Sequence, residues 1–189
     1  MRARLGDGLP EGAELFRVRT AQAGKGTLDL LKGLGRECRL LASNQSPPEQ
    51  ARTEAWFASA ERPSLVVVGA LPLPERRDVR SLYVMNLPPT LRMAEEDIAA
   101  AGRDGLDASV EFFASATDRE ARLREIEKEY PAEARARQRE RVNLCISWIE
   151  NDGCARVFLA RHLRGETVGV CGNCGWCVGR KSVFIPEED

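Results

Sequence analysis

Short apolar runs alternate with longer amphipathic segments along the first 115 residues. Five of these runs predict β-strands, at residues 14–19, 38–42, 65–69, 81–85 and 108–113. The run at 65–69 is continuously apolar and rich in β-branched residues, which is typical of a parallel strand covered on both faces. The run at 14–19 alternates apolar and charged residues instead, which predicts a half-buried strand.

Helix signals lie between and after these runs. They predict helices at residues 28–34, 46–59, 91–101, 117–130, 132–152 and 154–164. Ser46 with Glu49 forms a capping-box pattern with prolines in the first turn, and Thr117 with Glu120 forms a second one. Strands that alternate with helices predict an α/β fold, a parallel sheet with helices on both faces, followed here by a helical hairpin.

Residues 23–27 read Ala-Gly-Lys-Gly-Thr and follow the first predicted strand. A phosphate-binding loop has a Gly-Lys pair at this place. The pattern fails on chemistry, because Arg19 replaces its first glycine and Gly26 stands where the magnesium-binding hydroxyl belongs. We therefore expect a helix start here, with Thr27 as the cap of residues 28–34.

Four of the six cysteines lie near the end of the chain, at Cys154, Cys171, Cys174 and Cys177. The last three recur every third residue with glycines between them, and such tight turns bring sulfurs close enough to share one metal ion. The pattern predicts one structural zinc ion held by four thiolates. The alternative is two disulfides.

Redox environment separates these alternatives. The first 16 residues carry five charges and no apolar run, so we expect natural termini, no signal peptide, no membrane segment and a cytoplasmic protein. In a reducing compartment a cysteine cluster binds metal more often than it forms disulfides. Cys38 and Cys145 lie in apolar runs and are interpreted as core residues. Trp176, between two candidate ligands, is either a lid on the metal site or a platform for base stacking.

Charge restricts how the protein could bind nucleic acid. Its 189 residues carry a net charge of −1, so such binding would need a local patch. Residues 154–181 form one, with five positive residues against Glu166, which gives 5 − 1 = +4. The candidate DNA-binding residues are Arg156, Arg161, Arg164, Arg180 and Lys181. An ordinary solvated surface is the alternative interpretation.

Three motifs lie upstream of the cysteines: Asp-Val-Arg at 78–80, Asn-Leu-Pro at 86–88 and Ala-Gly-Arg-Asp-Gly-Leu at 101–106. Together with the cysteine spacing, they resemble the C-terminal half of RecQ-type DNA helicases. The resemblance covers about residues 14–180. It implies a degenerate second RecA-like helicase lobe at residues 1–115 and a helical-hairpin zinc-binding subdomain at 116–189.

The chain departs from the family pattern at the motifs and residues that bind and hydrolyse ATP. The first lobe, which carries the Walker motifs, has no counterpart here. Glu96 replaces a glutamine of the family, Ala99 a glycine and Ala100 an arginine, which leaves Arg103 alone to face a nucleotide. Arg103 is a candidate arginine finger in trans, and a surface contact with neighbouring carboxylates or helix-end carbonyls is the alternative. His162 stands where the family has an aromatic residue, and we expect its side chain to have a packing role.

These observations predict a RecQ-like module without a motor, which binds single-stranded or forked DNA or assembles a complex and does not hydrolyse ATP alone. No ATP is expected on this chain by itself, and a DNA-bound form would be associated with the nucleoid. One alternative is the second-lobe subunit of a split ATP-dependent DNA helicase, whose partner supplies the Walker motifs. The other is a protein-interaction adaptor that binds no nucleic acid, for example one that contacts another DNA-processing subunit.

Overall fold

The computed structural model of the protein describes residues 11–180. Within that range the chain forms two compact units, one from residues 11–86 and 96–113 and the other from residues 87–95 and 114–180. The first unit contains a five-stranded sheet. Its strands are β1 (Ala13–Val18), β2 (Cys38–Leu41), β3 (Ser64–Val68), β4 (Val79–Val84) and β5 (Ser109–Phe112).

All neighbouring strands of this sheet run parallel, in the order β2-β3-β1-β4-β5. Strand β1 lies at the centre, where Leu15 pairs with Leu65 of β3 on one side and with Leu82 of β4 on the other. Three of the connections between parallel strands contain a helix. These helices are α1 (Ala21–Gly33), α2 (Pro47–Ser59) and α3 (Leu91–Ile98).

Alternate side chains of the strands fill two separate cores, because successive residues of a strand point to opposite faces. Leu15 belongs to one core, which also contains Phe57 of α2. Phe16 belongs to the other, where Leu31 of α1 is fully buried. The predicted α/β fold with helices on both faces of a parallel sheet is therefore confirmed.

The prediction of a half-buried first strand is wrong, since every residue of β1 is buried. Its charged residues are paired within the protein. Glu14 forms an ion pair with Arg36 and accepts a hydrogen bond of 2.8 Å from the Ser64 hydroxyl, while Arg17 pairs with Asp97. Alternating charge is normally a sign of solvent exposure, and here it marks buried ion pairs instead.

The predicted start of the first helix is also wrong, because α1 begins at Ala21 and not after Thr27. Its N-cap is Thr20, whose hydroxyl oxygen accepts a hydrogen bond of 3.2 Å from the Ala23 amide. Gly24 is buried inside this helix, and a Cβ there would lie 2.9 Å from Cγ2 of Val68. The glycine that suggested a phosphate loop thus allows close packing of α1 on the sheet.

The remaining helices, all in the second unit, are α4 (Ala116–Glu129), α5 (Ala132–Ile149) and α6 (Ala155–Arg164). Helix α4 starts at a capping box formed by Ser115 and Asp118, two residues before the predicted pair, because both pairs fit the sequence pattern. Glu127 of α4 accepts a hydrogen bond of 3.0 Å from Arg139 of α5, so the two helices pack side by side. Along residues 11–180, none of the helices combines the length and the apolar character needed to span a bilayer.

Candidate metal centre

Two pieces of backbone bring the four C-terminal cysteines together. Cys154 is the N-cap residue of α6, and a glycine in the left-handed conformation, Gly165 with φ of 68°, ends that helix. The chain then returns as a series of turns, in which Gly172 has φ of 77°. The Arg180 amide closes the last turn on the carbonyl of Gly175 at 2.7 Å.

The geometry of the four sulfurs fits a single metal ion. All four lie within 4.8 Å of one another. The Sγ atoms of Cys171 and Cys177 are 3.9 Å apart, and those of Cys174 and Cys154 are 4.0 Å apart. A tetrahedral ion with Zn–S bonds of about 2.3 Å requires S···S distances of about 3.8 Å. The four cysteines could therefore hold a metal ion, and their softness and number are compatible with zinc.

Backbone amides also point at the sulfurs. The Cys171 amide donates to Sγ of Cys154 at 3.3 Å, and the Cys174 amide donates to Sγ of Cys171 at 3.3 Å. Such bonds stabilise a thiolate more than a thiol, because the charged sulfur is the stronger acceptor. The turn that positions the sulfurs thus also favours the ionised form that a metal requires.

The thiols do not ionise independently. Burial opposes ionisation of Cys154, but hydrogen bonds from the amides of Val157 and Cys171, together with those from the neighbouring thiols, lower the pKa of the Cys154 thiol to about 6. Desolvation, with the neighbouring thiols, raises the pKa of Cys177 to about 11. Without a cation the cluster retains protons, since several thiolates in contact repel one another. The positive charge of a divalent ion would offset this repulsion between the thiolates.

All six cysteines are free thiols in the structure. Cys145 is fully buried and Cys38 is partly buried, and neither belongs to the cluster. Desolvation raises the pKa of Cys145 to about 12 and also raises the pKa of Cys38. Both therefore remain protonated at neutral pH, which fits their interpretation as core residues.

The predicted DNA-binding arginines are exposed, but they differ in their contacts. Arg156, Arg161 and Arg180 have no ion-pair partner among residues 11–180. Arg164 instead pairs with Glu95 and donates to Glu166 at 3.1 Å. The structure thus leaves three of the four arginines available to an anionic ligand. Lys181, the fifth predicted residue, lies outside the described range.

Two aromatic side chains of the second unit have different surroundings. His162 stacks on Phe158 with ring centroids 4.0 Å apart, and its Nδ1 lies 2.9 Å from the Phe158 carbonyl oxygen. This is the packing role expected of His162. Trp176 is 48% exposed, and Val170 and Val178 at 65% and 50% are also among the most exposed large apolar residues. A ring enclosed as a lid would be less exposed.

The Ala-Gly-Arg-Asp-Gly-Leu run of the first unit is bound to strand β4. Asp104 pairs with Arg80, and the Gly102 amide donates to the Val79 carbonyl at 3.0 Å. Arg103 donates from Nε to the Ala99 carbonyl at 2.9 Å, as expected from the alternative interpretation of helix-end contact. Its side chain remains partly exposed, with Nη1 4.0 Å from Glu75.

Two ion pairs that order these units could not be recognised in the sequence. Arg17 and Asp97 are 80 positions apart, and Arg164 and Glu95 are 69 positions apart. Neither pair has the short spacing by which helix ion pairs are recognised in a sequence. Only a hydrophobic context around Arg17 could have suggested that its charge is buried.

Comparison with solved structures identifies the fold. The C-terminal domain of the DEAD-box protein Dbp5 matches with a TM-score of 0.51 and 17% identity over 65% of this chain and 73% of that one. Domain 2 of the DEAD-box helicase Mss116p, bound to an RNA duplex, matches with a TM-score of 0.50 and 15% identity over 79% of this chain and 64% of that one. A DEAD-box protein from the hyperthermophile Methanococcus jannaschii matches with a TM-score of 0.50 and 17% identity over 67% of this chain.

The matched region spans only 34% of the Methanococcus jannaschii protein. No protein-family model and no curated protein matches the sequence. At these identities the likeness concerns the fold. The chain has the RecA-like fold of a helicase C-terminal lobe, with a four-cysteine cluster near its C-terminus.

Proposed function

We propose that this chain is a RecQ-like module without a motor, which binds DNA through its zinc subdomain and does not hydrolyse ATP alone. The observation that carries the proposal is the cluster of four thiols within 4.8 Å, in a chain with the fold of a helicase C-terminal lobe. The cysteine spacing and the motifs at 78–80, 86–88 and 101–106 supply the RecQ assignment.

Zinc has a structural role in this proposal. Cys154, Cys171, Cys174 and Cys177 would hold the ion, and four thiolates leave no open position for catalysis. The segment from 165 to 180 contains no regular helix or strand. A loop of this kind has little apolar surface to bury, so metal binding would contribute its folding free energy directly.

Several features argue against ATP hydrolysis by this chain alone. Lys25 lies within helix α1, so the Gly-Lys pair has no loop in which backbone amides could surround a phosphate. Ala100, at the place of a family arginine, is buried and carries no charge that could stabilise a phosphoryl group. The guanidinium of Arg103 is already bonded to the Ala99 carbonyl.

DNA would contact the exposed arginines of the second unit. Arg156, Arg161 and Arg180 can reach phosphates, and such contacts position a protein on DNA without reading its sequence. We therefore expect weak sequence selectivity and a strong dependence on salt.

Four measurements on the purified chain test the proposal, the fourth being its ATPase activity. Elemental analysis should find about one zinc ion per chain. Filter binding should detect single-stranded and forked DNA. The slope of log K against log salt should fall by about 0.7 for each of Arg156→Ala and Arg161→Ala on single strands. Arg52→Ala, the same change at an exposed site on α2, is the matched control. DNA-stimulated ATPase activity of the chain alone would show that it has a motor. A DNA affinity that changes neither with salt concentration nor in the Arg156→Ala and Arg161→Ala variants would show that these arginines do not bind DNA.

The split-helicase alternative is favoured by one observation, the partial exposure of Arg103 in a helicase-type lobe. In that case a separately encoded first lobe would bind this chain and Arg103 would reach its nucleotide. Mixing the two chains would then produce ATP turnover, and Arg103→Ala would abolish it. Copurification of a Walker-motif ATPase with the untagged chain would favour this alternative over the first.

A further inference from the structure

Trp176 differs from the other two tryptophans of the chain. Trp148 is 7% exposed, and Trp56 is partly buried, where its ring nitrogen donates to Glu37 at 2.6 Å. Trp176 is about half exposed, although tryptophan side chains are highly buried on average. It lies between Cys174 and Cys177, which both belong to the thiol cluster.

The turns that carry this ring are open at two glycines. A Cβ at Gly172 or at Gly179 would meet no atom within 4 Å. The Gly179 amide donates to the Trp176 carbonyl at 3.1 Å, which fixes the turn that carries the ring. The ring is thus held in place and accessible.

The net charge of the segment that carries Trp176 limits how strongly it can attract phosphates. Described residues 154–180 contain four arginines and one glutamate, which gives 4 − 1 = +3. Four thiolates around a zinc ion add −4 + 2 = −2, so the loaded segment carries only +1. Three exposed arginines still favour an anionic ligand locally, but this small total makes phosphate attraction weak. An additional contact that does not depend on charge is needed for affinity.

We propose that Trp176 is a base-stacking platform for unpaired DNA, and that the exposed arginines of the same unit, Arg156, Arg161 and Arg180, contact the phosphates of that DNA. This inference rests on the proposed DNA-binding function. It assigns to Trp176 the selectivity of the protein for single-stranded over duplex DNA. An indole ring stacks on any base, which matches the weak sequence selectivity expected of the arginines. In a duplex the bases are already stacked on one another, so Trp176 contributes nothing there.

The first test uses the wild-type chain and needs no variant. Oligothymidylate and an abasic oligonucleotide of equal length present the same phosphates, and only the first presents bases. We expect oligothymidylate to bind more tightly and to quench tryptophan fluorescence, while the abasic oligonucleotide binds more weakly and quenches little. Equal affinity and equal quenching for the two ligands would overturn the role of Trp176.

The second test replaces the ring. Trp176→Ala should weaken binding of oligothymidylate by about 5- to 150-fold, the range found when one stacking ring is removed. Binding of the abasic oligonucleotide and of duplex DNA should not change. Trp176→Phe should recover part of the affinity, since a phenyl ring also stacks, and should abolish the quenching. Val178→Ala, which removes exposed apolar surface nearby, should change affinity by no more than about twofold.

Each outcome separates the two proposals. If no oligonucleotide binds at any salt concentration, both the proposed function and the role of Trp176 are wrong. If oligothymidylate binds wild type and Trp176→Ala equally, the DNA-binding function stands and the platform is wrong, which leaves the ring for a protein partner. Zinc content is measured for every variant. Should Trp176→Ala lose zinc, the Trp176→Phe variant and the abasic comparison decide.

Discussion

Arg17 and Asp97 form an ion pair in which Nη2 of the arginine lies 2.8 Å from Oδ1 of the aspartate, with side chains only 5% and 1% exposed. The same guanidinium donates from Nη1 to the carbonyls of Gly69 and Leu71, each at 2.9 Å. Arg17 thus connects the central strand to the segment that follows β3. Breaking such a pair leaves an uncompensated buried charge, which costs far more than the pair itself contributes.

Replacing Asp97 with asparagine should therefore destabilise the protein severely. We expect the free energy of unfolding to fall by about 3–5 kcal/mol, measured by urea denaturation. The control is Glu120→Gln, which breaks an exposed pair with Arg124 and should cost less than about 1 kcal/mol. Equal losses for the two variants would contradict the buried-charge argument.

Two glycines of α1 offer a matched comparison of packing. In Gly24→Ala the new methyl group would lie 2.9 Å from Cγ2 of Val68 and 3.0 Å from Cδ1 of Leu40, so the helix must move away from the sheet. In Gly26→Ala it would meet nothing within 4 Å. We expect Gly26→Ala to stabilise the protein by about 0.5–1 kcal/mol, through the higher helix propensity of alanine. We expect Gly24→Ala to destabilise it, by about 1–3 kcal/mol relative to Gly26→Ala. Thermal unfolding of both variants measures the difference, and equal midpoints would show that α1 does not pack closely at Gly24.

Metal removal should affect the two units differently. Cys174→Ser removes one of four candidate ligands, so we expect loss of zinc and unfolding of the segment from 165 to 180, while the sheet of the first unit remains. Cys38→Ser is the control, because Cys38 lies outside the cluster and donates only a weak bond to the Leu28 carbonyl. Elemental analysis gives the zinc content, and hydrogen exchange locates the unfolding. Normal zinc content in Cys174→Ser would argue against a four-thiolate site.

Asp78 provides a prediction about pH. A hydrogen bond from Arg76, at 2.6 Å from Nε to Oδ1, lowers the pKa of this carboxyl below its usual value. Because the folded-state pKa is lowered, the contribution of Asp78 to stability is present above the ordinary pKa and is lost as the pH falls from that value through the lowered folded-state pKa. In Arg76→Gln the pKa of Asp78 should rise. Carboxyl chemical shifts measured by NMR across a pH titration would report the change, and an unaltered titration would exclude Arg76 as the cause.

The strand and helix pattern was largely readable from the sequence. Apolar runs identified the five strands of the described residues, although the edge strands β2 and β5 are only partly buried. The capping box at Ser46 also predicted its helix correctly, and the amide and hydroxyl of Ser46 both donate to Glu49. The start of α1 was missed because a cap at Thr20 and one at Thr27 fit the same local pattern, and only the packing of Gly24 against Val68 distinguishes them.

The candidate site was predictable to a different extent for each of its parts. Short turns explain why Cys171, Cys174 and Cys177 meet, because a turn has few ways to place two thiols. Cys154 lies 17 positions before Cys171, at the start of α6. Which arginines are free of ion pairs could not be predicted from the sequence. Arg164 and Arg161 have similar sequence contexts, and only the structure shows that Arg164 pairs with Glu95. The exposure of Trp176 was also undecided, because both interpretations place an aromatic ring between ligands.

By itself, the sequence determined the order of strands and helices, the turns that gather three of the four thiols and the failure of residues 23–27 to match a phosphate-binding loop. These depend on residues within a few positions of one another. Only the tertiary structure decided that the charges of β1 are buried, that Arg164 is paired and that Trp176 is open to solvent. Those properties depend on which distant segments come into contact. An interaction with a residue 69 or 80 positions away cannot be inferred from the local sequence.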